Sequence, residues 1–471
     1  MSIKELIKKL PYPVAFGLKY VYSLLPVRFR YGKLFWESYK FLKYSQWWSR
    51  EKLEEYQMEQ LNKLLKHSFE FVPYYRKIFK KSGISIEDIK ILDDLKKLPY
   101  LTRENIQENL LDLIAKNYPK SMLKYVTTGG STGMPLGFYE EKETAWLREW
   151  AFIINLWERV GYKIGDRCVV LRGNVIKSAQ SGRFWEYDPV KNNLILSSYH
   201  IKESALPEYI EKIREFSPLF IQSYPSVITI LARFMKENDI KPFPELKAIL
   251  CTSENIYDWQ RALLEEVFRC RVYSFYGHTE KVALAGECEK STCYHIQPEY
   301  GIVELIDKDG KPLTKDNEVG EIVATGFNNY VCPFIRYRTG DLGVFTSIKC
   351  VCGRNFSLLK KVLGRIQEFV VTEDKRLIPF TALIFAQHFG AFSTIKEMQF
   401  IQEEEGKLLI RVVKTTRYSN EDEEELRSKI QNATGGGLRI EFDYVDSIPR
   451  TERGKYRLFI QKLPISFGDK C

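Results

Sequence analysis

The chain has 471 residues, 44% hydrophobic and 28% charged, with a formal net charge of +10. That length exceeds the ~250–300 residues that one hydrophobic core usually serves, and no apolar run reaches the ~20 residues needed to cross a bilayer. Nine cysteines without the spacing of a small secreted scaffold, and no cleavable leader, point to a reducing cytoplasm with free or metal-bound thiols.

Charge concentrates at the front. Residues 1–45 carry nine lysines and arginines against Glu5 and Glu37, interleaved with Tyr12, Phe16, Tyr20, Tyr22, Phe29, Tyr31, Phe35 and Trp36. Two readings follow: an arm that meets anionic lipid headgroups at the inner face of a membrane, or a helical arm packed on the body with its lysines solvated. No nucleic-acid recognition motif accompanies the charge. Pro11, Pro13 and Pro26 cut this arm into short pieces. Trp47 to Phe79 reads as a long helix, with Leu53, Tyr56, Leu61, Leu64, Leu65 and Phe69 at helical spacing, and Phe71-Val72-Pro73 as its stop. Thr102 before Arg103-Glu104-Asn105 reads as an N-cap.

Next comes Thr127-Thr128-Gly129-Gly130-Ser131-Thr132-Gly133-Met134-Pro135. Glycine lets the backbone approach a ligand closely, and successive N–H groups form an anion nest to which hydroxyls add donors. A phosphate chain is the natural guest, and an ordinary polar turn is the alternative. It is not a Walker loop, because Gly133 is followed by Met134 rather than lysine.

Beyond it, helices are predicted over Glu141–Val160, Pro207–Phe216, Ser226–Asn238 and Ile256–Phe268. Strands are predicted over Cys168–Leu171, Leu194–Leu196, Phe220–Tyr224, Ala248–Cys251 and Val272–Tyr276. Such alternation argues for a parallel, crossover-connected sheet, with ligands beyond the C-terminal strand ends. After Glu299 the strands shorten: Ile302–Ile306, Glu321–Ala324 and Val344–Phe345, with Asp309-Gly310 as a hairpin turn. Gly435-Gly436-Gly437 reads as a flexible loop, and a domain boundary falls near Gly364-Arg365.

Four further blocks follow the glycine-rich stretch in order: YGHTE at Tyr276–Glu280, RYRTGDLG at Arg336–Gly343, LGRIQEF at Leu363–Phe369 and PRTERGKYR at Pro449–Arg457. Together the five blocks resemble the adenylate-forming superfamily of acyl-CoA synthetases, luciferases and peptide-synthetase adenylation domains. The likeness is to the phenylacetate-CoA-ligase branch, and within it to the capsular-polysaccharide-biosynthesis, CapK-type group. It implies an α/β protein in three parts. A basic aromatic arm takes 1–48. A large domain over 49–363 has mainly parallel sheets and helices plus a smaller barrel-like β part. A small mobile α+β domain takes 364–471.

The implied reaction is carboxylate plus ATP giving acyl-adenylate and pyrophosphate, with the acyl group then passed to an acceptor. Two anions must meet, so positive charge and positioning carry the rate. By this resemblance Lys455 reaches the α-phosphate and carboxylate, Glu280 helps hold Mg²⁺ as an oxygen ligand, and His278 approaches the carboxylate. Nucleotide contacts are implied for Thr127, Thr128, Gly129, Gly130, Ser131, Thr132 and Gly133, and for Ser253, Glu254 and Asn255. Tyr276 stacks on adenine, beside Gly277 and Thr279. Asp341 takes the ribose hydroxyls, and Arg365 takes ribose or phosphate. Tyr224, Pro225 and Ser253 line the acyl pocket, with Trp146 or Trp150 nearby. The bland alternatives are a surface ion-pair cluster for Arg336, Arg338 and Asp341, a helix-cap partner for Glu280, and a solvated lysine for Lys455.

Two departures mark this chain. Met134 stands where many relatives carry lysine, and Gln367-Glu368 and Glu373-Asp374-Lys375-Arg376 stand where CoA ligases of the branch carry an acidic pair and a glycine loop. The acceptor therefore stays open between CoA, a carrier-protein thiol and an amine. The capsule-type likeness favours a glycan or lipid-linked glycan setting, and a catalytically inactive nucleotide-binding scaffold is the rival reading. Separately, Cys288, His295, Cys350 and Cys352, with Cys293 as substitute, offer the donors of tetrahedral zinc, against the reading as unpaired thiols.

Overall fold

The computed structural model describes residues 12–128, 136–142, 144–172, 176, 183–198, 203–365, 369–375, 377–385, 391, 394–450 and 457–465. A hairpin of β1 (Leu123–Thr127) and β2 (Gly137–Glu141) brackets the glycine-rich stretch. The main feature is a twelve-stranded sheet. In it β3 (Cys168–Arg172), β5 (Asn193–Ser197), β6 (Phe220–Ser223), β7 (Ala248–Cys251) and β8 (Arg271–Gly277) run parallel, in the spatial order β5-β3-β6-β7-β8. A short β4 (Trp185–Asp188) closes the outer edge antiparallel to β5.

These parallel strands are apolar because both faces are covered. On one face, Val169, Leu171, Ile221, Ile249 and Val272 pack under helices Leu206–Phe216, Pro225–Glu237 and Asp258–Phe268. On the other, Val170, Phe220, Ala248, Leu250 and Tyr273 pack under the helices Gly32–Ser45 and Thr144–Glu158.

From β8 onward every neighbour is antiparallel. The order continues through β9 (Leu284–Gly286), β10 (Tyr294–Ile296), β14 (Leu358–Arg365), β13 (Tyr337–Thr346), β12 (Val319–Gly326) and β11 (Gly301–Ile306). The parallel expectation thus holds for the first half, and the smaller β part is this antiparallel half. A two-stranded piece, β15 (Phe369–Val371) with β16 (Leu377–Pro379), follows. Then comes a separate four-stranded sheet of β17 (Ile395–Gln402), β18 (Lys407–Lys414), β19 (Arg439–Tyr444) and β20 (Phe459–Gln461), in the order β19-β18-β17-β20. Phe380, Phe400, Ile410, Leu426 and Ile440 form its own core with helix Asn420–Thr434.

Several boundaries moved for local reasons. The helix read over Trp47–Phe79 starts at Arg50, capped by the Ser49 side chain, and divides into Arg50–Phe71 and Pro73–Ser82, since proline fits only the first turn of the second. Thr102 caps as expected: its hydroxyl accepts from Asn105 N–H at 3.2 Å while the Asn105 side chain accepts from Thr102 N–H at 3.0 Å. Glu141 belongs to β2, and the next helix is Thr144–Glu158. Asp309-Gly310 does sit in a tight turn, with Gly310 at φ +76°, but that turn closes a bridge between Ile306 and Pro312 rather than joining β11 directly to β12. The Gly435–Gly437 loop is a helix stop. Gly435 and Gly436 take positive φ, and Gly436 N–H reaches Gln431 C=O at 2.8 Å.

Of the two readings of the basic arm, packing holds for Gly32–Ser45. Phe35 and Leu42 are buried, Tyr39 and Lys43 bond Glu158, and Ser45 donates to the buried Glu299. It does not hold for the helix Tyr12–Ser23, most of whose described side chains face outward. Among the described residues no helix is long and apolar enough to cross a membrane.

Candidate functional site

The C-terminal ends of the parallel strands gather Arg172 (β3), Tyr224 after β6, Ser253 after β7, and Tyr276-Gly277 at the end of β8. The Tyr224 ring is buried, and the Arg172 guanidinium lies 5.6 Å from its centroid while donating to Ser253 Oγ at 3.4 Å. Sequence reading missed Arg172. Its one signal was its place as the last residue of a strand whose neighbours all end at the site. Pro225 opens the helix Pro225–Glu237. The Glu254 carboxylate accepts from Ser226 N–H at 3.0 Å and Ser226 Oγ at 3.1 Å. A carboxylate suits the positive end of that helix, so Glu254 fixes the loop around Ser253 by capping a neighbour.

At the seam where the sheet turns antiparallel, Tyr276 Oη donates to Asp341 Oδ2 at 2.8 Å, joining YGHTE to RYRTGDLG across 65 residues. Burial, with the Asp341 charge added, holds the Tyr276 hydroxyl well above its ordinary pKa. Asp341 lies in β13, opposite Arg365 of β14 in register, with Thr339 Oγ1 accepting its N–H at 3.1 Å.

Glu280 is 7% exposed. Its described polar neighbours are the Tyr337 hydroxyl, which donates at 3.3 Å, and His278 Nδ1 at 3.5 Å. His278 itself is nearly buried, and neither ring nitrogen has a hydrogen-bond partner among the described residues. A buried carboxylate is normally paired with a cation, yet Glu280 meets no lysine or arginine among the described ion pairs. Neighbouring carboxylates do: Glu140 takes Lys124 and Lys281, and Glu321 takes Arg338. Oxygen donors of this kind fit a hard cation such as Mg²⁺.

The segment that carries Glu280 is held by a close approach no local motif reveals. Gly301 of β11 and Gly326 of β12 face each other in register. A Cβ on Gly301 would lie 2.5 Å from Val282 O, and one on Gly326 would lie 2.8 Å from Val282 Cα. Residues 281–282 therefore cross bare backbone, and Lys281 takes φ +55° to do so.

The alternative of a surface ion-pair cluster for Arg336, Arg338 and Asp341 does not form among the described residues, because each is drawn to a different partner. Arg336 is 2% exposed and grips Glu304 with two bonds of 3.0 and 2.8 Å, also donating to Leu98 C=O. Arg338 holds Glu321 with bonds of 2.9 and 2.6 Å. Thr128 is buried too. Its hydroxyl accepts from Leu136 N–H at 3.0 Å and pins the base of the glycine-rich stretch, while Thr127 is exposed. Gly129, Gly130, Ser131, Thr132, Gly133, Lys455, Gln367 and the Arg365 side chain lie outside the described residues. Gly277, Thr279 and Asn255 sit at the same strand ends.

A second cluster lies further along the seam. The ligand atoms of Cys288, His295, Cys350 and Cys352 all fall within 4.8 Å of one another. Cys288 Sγ is 3.5 Å from Cys350 Sγ, and Cys352 Sγ is 3.3 Å from His295 Nε2. Zinc–sulfur bonds of ~2.3 Å in a tetrahedron put sulfurs ~3.8 Å apart, so these donors suit that ion. Cys293 contributes differently: its carbonyl lies 3.2 Å from His295 Nδ1 and orients the ring. Among the described residues all cysteines are free thiols.

Residues 370–462 match the family described as the CapK C-terminal domain. Over 465 residues the chain is 26% identical to protein CapK of Staphylococcus aureus, covering 95% of this chain and 100% of that protein. It is 25% identical to the phenylacetate-coenzyme A ligase of Pseudomonas putida over 337 residues, 70% of this chain and 74% of that protein. The solved structure of 2-hydroxyisobutyryl-CoA ligase in the postadenylation state superposes with a TM-score of 0.70 at 18% identity, across 88% of this chain and 90% of that one. The fold is that of the adenylate-forming acyl-CoA ligases. By sequence the chain is similar to protein CapK along nearly its whole length and to the phenylacetate-CoA ligases over 70% of it.

Proposed function

We propose that the chain is an ATP-dependent, AMP-forming ligase that activates a small carboxylic acid as its acyl-adenylate. The observation that carries this reading is Glu280, a buried carboxylate without a lysine or arginine partner among the described ion pairs, beside the Tyr276–Asp341 pair at the mouth of the parallel strands. Tyr276 offers its ring to adenine while its hydroxyl fixes Asp341, the carboxylate proposed to meet the ribose. Glu280 holds Mg²⁺, which when bound neutralises phosphate charge. His278, nearly buried and with both nitrogens lacking hydrogen-bond partners among the described residues, orients the acid. Arg172, Tyr224 and Ser253 line the acyl side.

The division at 49–363 and 364–471 belongs to the same proposal. The rear unit delivers Lys455 to the point where carboxylate oxygen meets α-phosphorus, which requires it to open and close. Relatives named as phenylacetate-CoA ligases make CoA one acceptor class, and a carrier thiol or a sugar amine is another. The CapK likeness favours a surface-glycan setting. The four-donor cluster holds one structural zinc.

Purified protein with ATP, Mg²⁺ and a panel of aryl, fatty, amino and sugar acids tests the reading. Pyrophosphate release dependent on one acid class supports it, followed by mass spectrometry of the adenylate and acceptor product. Nucleotide binding with no release for any acid would leave an inactive scaffold.

A further inference from the structure

The front of the chain carries a surface that the ligase reading does not use. Eight of the twenty large hydrophobic side chains exposed among the described residues fall between Val14 and Phe29. Val14, Leu18 and Val21 recur at i, i+4 and i+7, one face of the helix Tyr12–Ser23, and are 51, 47 and 66% exposed. Leu24, Leu25 and Phe29 extend the patch past the helix end at 69, 45 and 60%. In a packed arm this face is the one that would be covered, as Phe35 and Leu42 are covered further on. The same spacing runs back in sequence through Leu10, Ile7 and Ile3, among Lys4, Lys8 and Lys9.

Charge says what covers it. Residues 12–31 contain Lys19, Arg28 and Arg30 and no acidic side chain. Arg28 is exposed, its guanidinium 4.6 Å from the Phe29 ring centroid. A second copy of this face would set like charges against each other with no carboxylate to relieve them. An anionic surface meets both the apolar stripe and the cations at its rim. The helix Tyr12–Ser23, at ~1.5 Å per residue, is too short for a ~30 Å hydrocarbon core.

Position completes the argument. Arg30 Nη1 donates to Val190 C=O at 2.6 Å, in the turn between β4 and β5. Val190 precedes Asn193, which pairs with Cys168, so this is the N-terminal end of the parallel strands. Tyr224 and Tyr276 lie at the other end.

We propose that the exposed side chains of residues 14–29 lie in the headgroup layer of an anionic phospholipid bilayer, as an interfacial amphipathic face that leaves the strand-end site open to solvent. Full-length protein is co-sedimented with vesicles of neutral lipid alone and with ~30 mol% anionic lipid, at low and high salt. Binding is expected on the anionic vesicles and should weaken with salt. Val21→Glu with Leu25→Glu should lower the partition at least ~tenfold, and Arg28→Gln about fivefold, with unchanged circular dichroism melts. Pyrophosphate release measured without vesicles should be unchanged, since none of these residues touches the proposed site. Equal binding to neutral and anionic vesicles, or no binding, overturns the proposal. So does a concentration-dependent dimer in sedimentation velocity that Val21→Glu with Leu25→Glu abolishes, because a second copy would then cover the face.

Discussion

The Cys288–His295–Cys350–Cys352 cluster and the Tyr276–Glu280–Asp341 group are built along one seam of the sheet. β10 and the connections β9–β10 and β13–β14 present the first, and β8 and β13 frame the second. Their donors are arranged in opposite ways. In the cluster, four ligand atoms face inward on one another, within the size of a single ion. At the strand ends, a buried carboxylate lacks a lysine or arginine among the described ion pairs, and a nearly buried imidazole lacks hydrogen-bond partners among the described residues. Closed convergence is what a structural ion needs. Buried groups left short of partners cost stability, and a ligand that supplies those partners recovers that cost on binding. The difference separates a part of the chain that serves the fold from a part that serves a reaction.

The largest effect should come from the cation proposed to reach the α-phosphate. Lys455→Ala should lower acid-dependent pyrophosphate release ~10²–10³-fold, as loss of a charge-stabilising contact does, with the thermal melt unmoved. Release at the wild-type rate would remove the proposed mechanism while leaving the fold intact. The cluster should respond in reverse. Cys352→Ser, or prolonged chelation, should strip a single zinc measured by elemental mass spectrometry and lower the melting temperature by ~5–10 °C. Protein that purifies without zinc and melts unchanged would return these residues to ordinary free thiols.

A third substitution tests whether the two halves of the seam are mechanically joined. Gly326→Ala places a methyl 2.8 Å from Val282 Cα, two residues beyond Glu280. Backbone must shift there, and misplacing a catalytic group by ~1 Å costs up to ~10²-fold. The expected signature is an ~10-fold fall in kcat with a raised Mg²⁺ requirement. A fall in stability with kcat and the Mg²⁺ requirement unchanged would show that Glu280 does not depend on this crossing.

The same contrast explains what could be read from the chain alone. Cys168–Leu171, Phe220–Ile221 and Ala248–Cys251 are continuous apolar runs, so the buried parallel strands, and the strand-end position of Tyr224 and Tyr276, were legible. Donor chemistry was legible too: Cys288, His295, Cys350 and Cys352, the set preferred over one with Cys293, are the residues whose ligand atoms the fold brings together. Adjacency misled elsewhere. Arg336 and Asp341 share one block, yet at φ +51° the chain at Arg336 sends its side chain to Glu304, and that guanidinium clamps the fold from within. The Gly301–Gly326 crossing was invisible because its members are distant in sequence and carry no side chain to pattern. The antiparallel half was under-read for a related reason: β12 and β13 are longer than their apolar segments, extended by Gly320, Gly326, Gly340 and Gly343.

The smallest effect should separate two buried carboxylates, Glu280 and Glu299. Glu299 is 3% exposed at the join between arm and body, accepting from the Ser45 hydroxyl, with its second oxygen lacking a described partner. Burial raises its pKa above the ordinary carboxylate range, against the Ser45 bond that pulls it down. The native state therefore holds this proton more tightly than the unfolded chain, whose glutamates ionise near ~4.3. Its stabilising contribution is complete below that value and declines as pH rises through the folded pKa, with a slope of at most ~1.4 kcal/mol per unit. Urea unfolding between mildly acid and neutral pH should show this decline, and Glu299→Gln should flatten it without changing pyrophosphate release. Glu280→Gln should do the converse, lowering release and its Mg²⁺ response. A pH slope unaltered in Glu299→Gln would mean that another group sets it, and that the arm is joined to the body by packing of Phe35 and Leu42 without a proton held at Glu299.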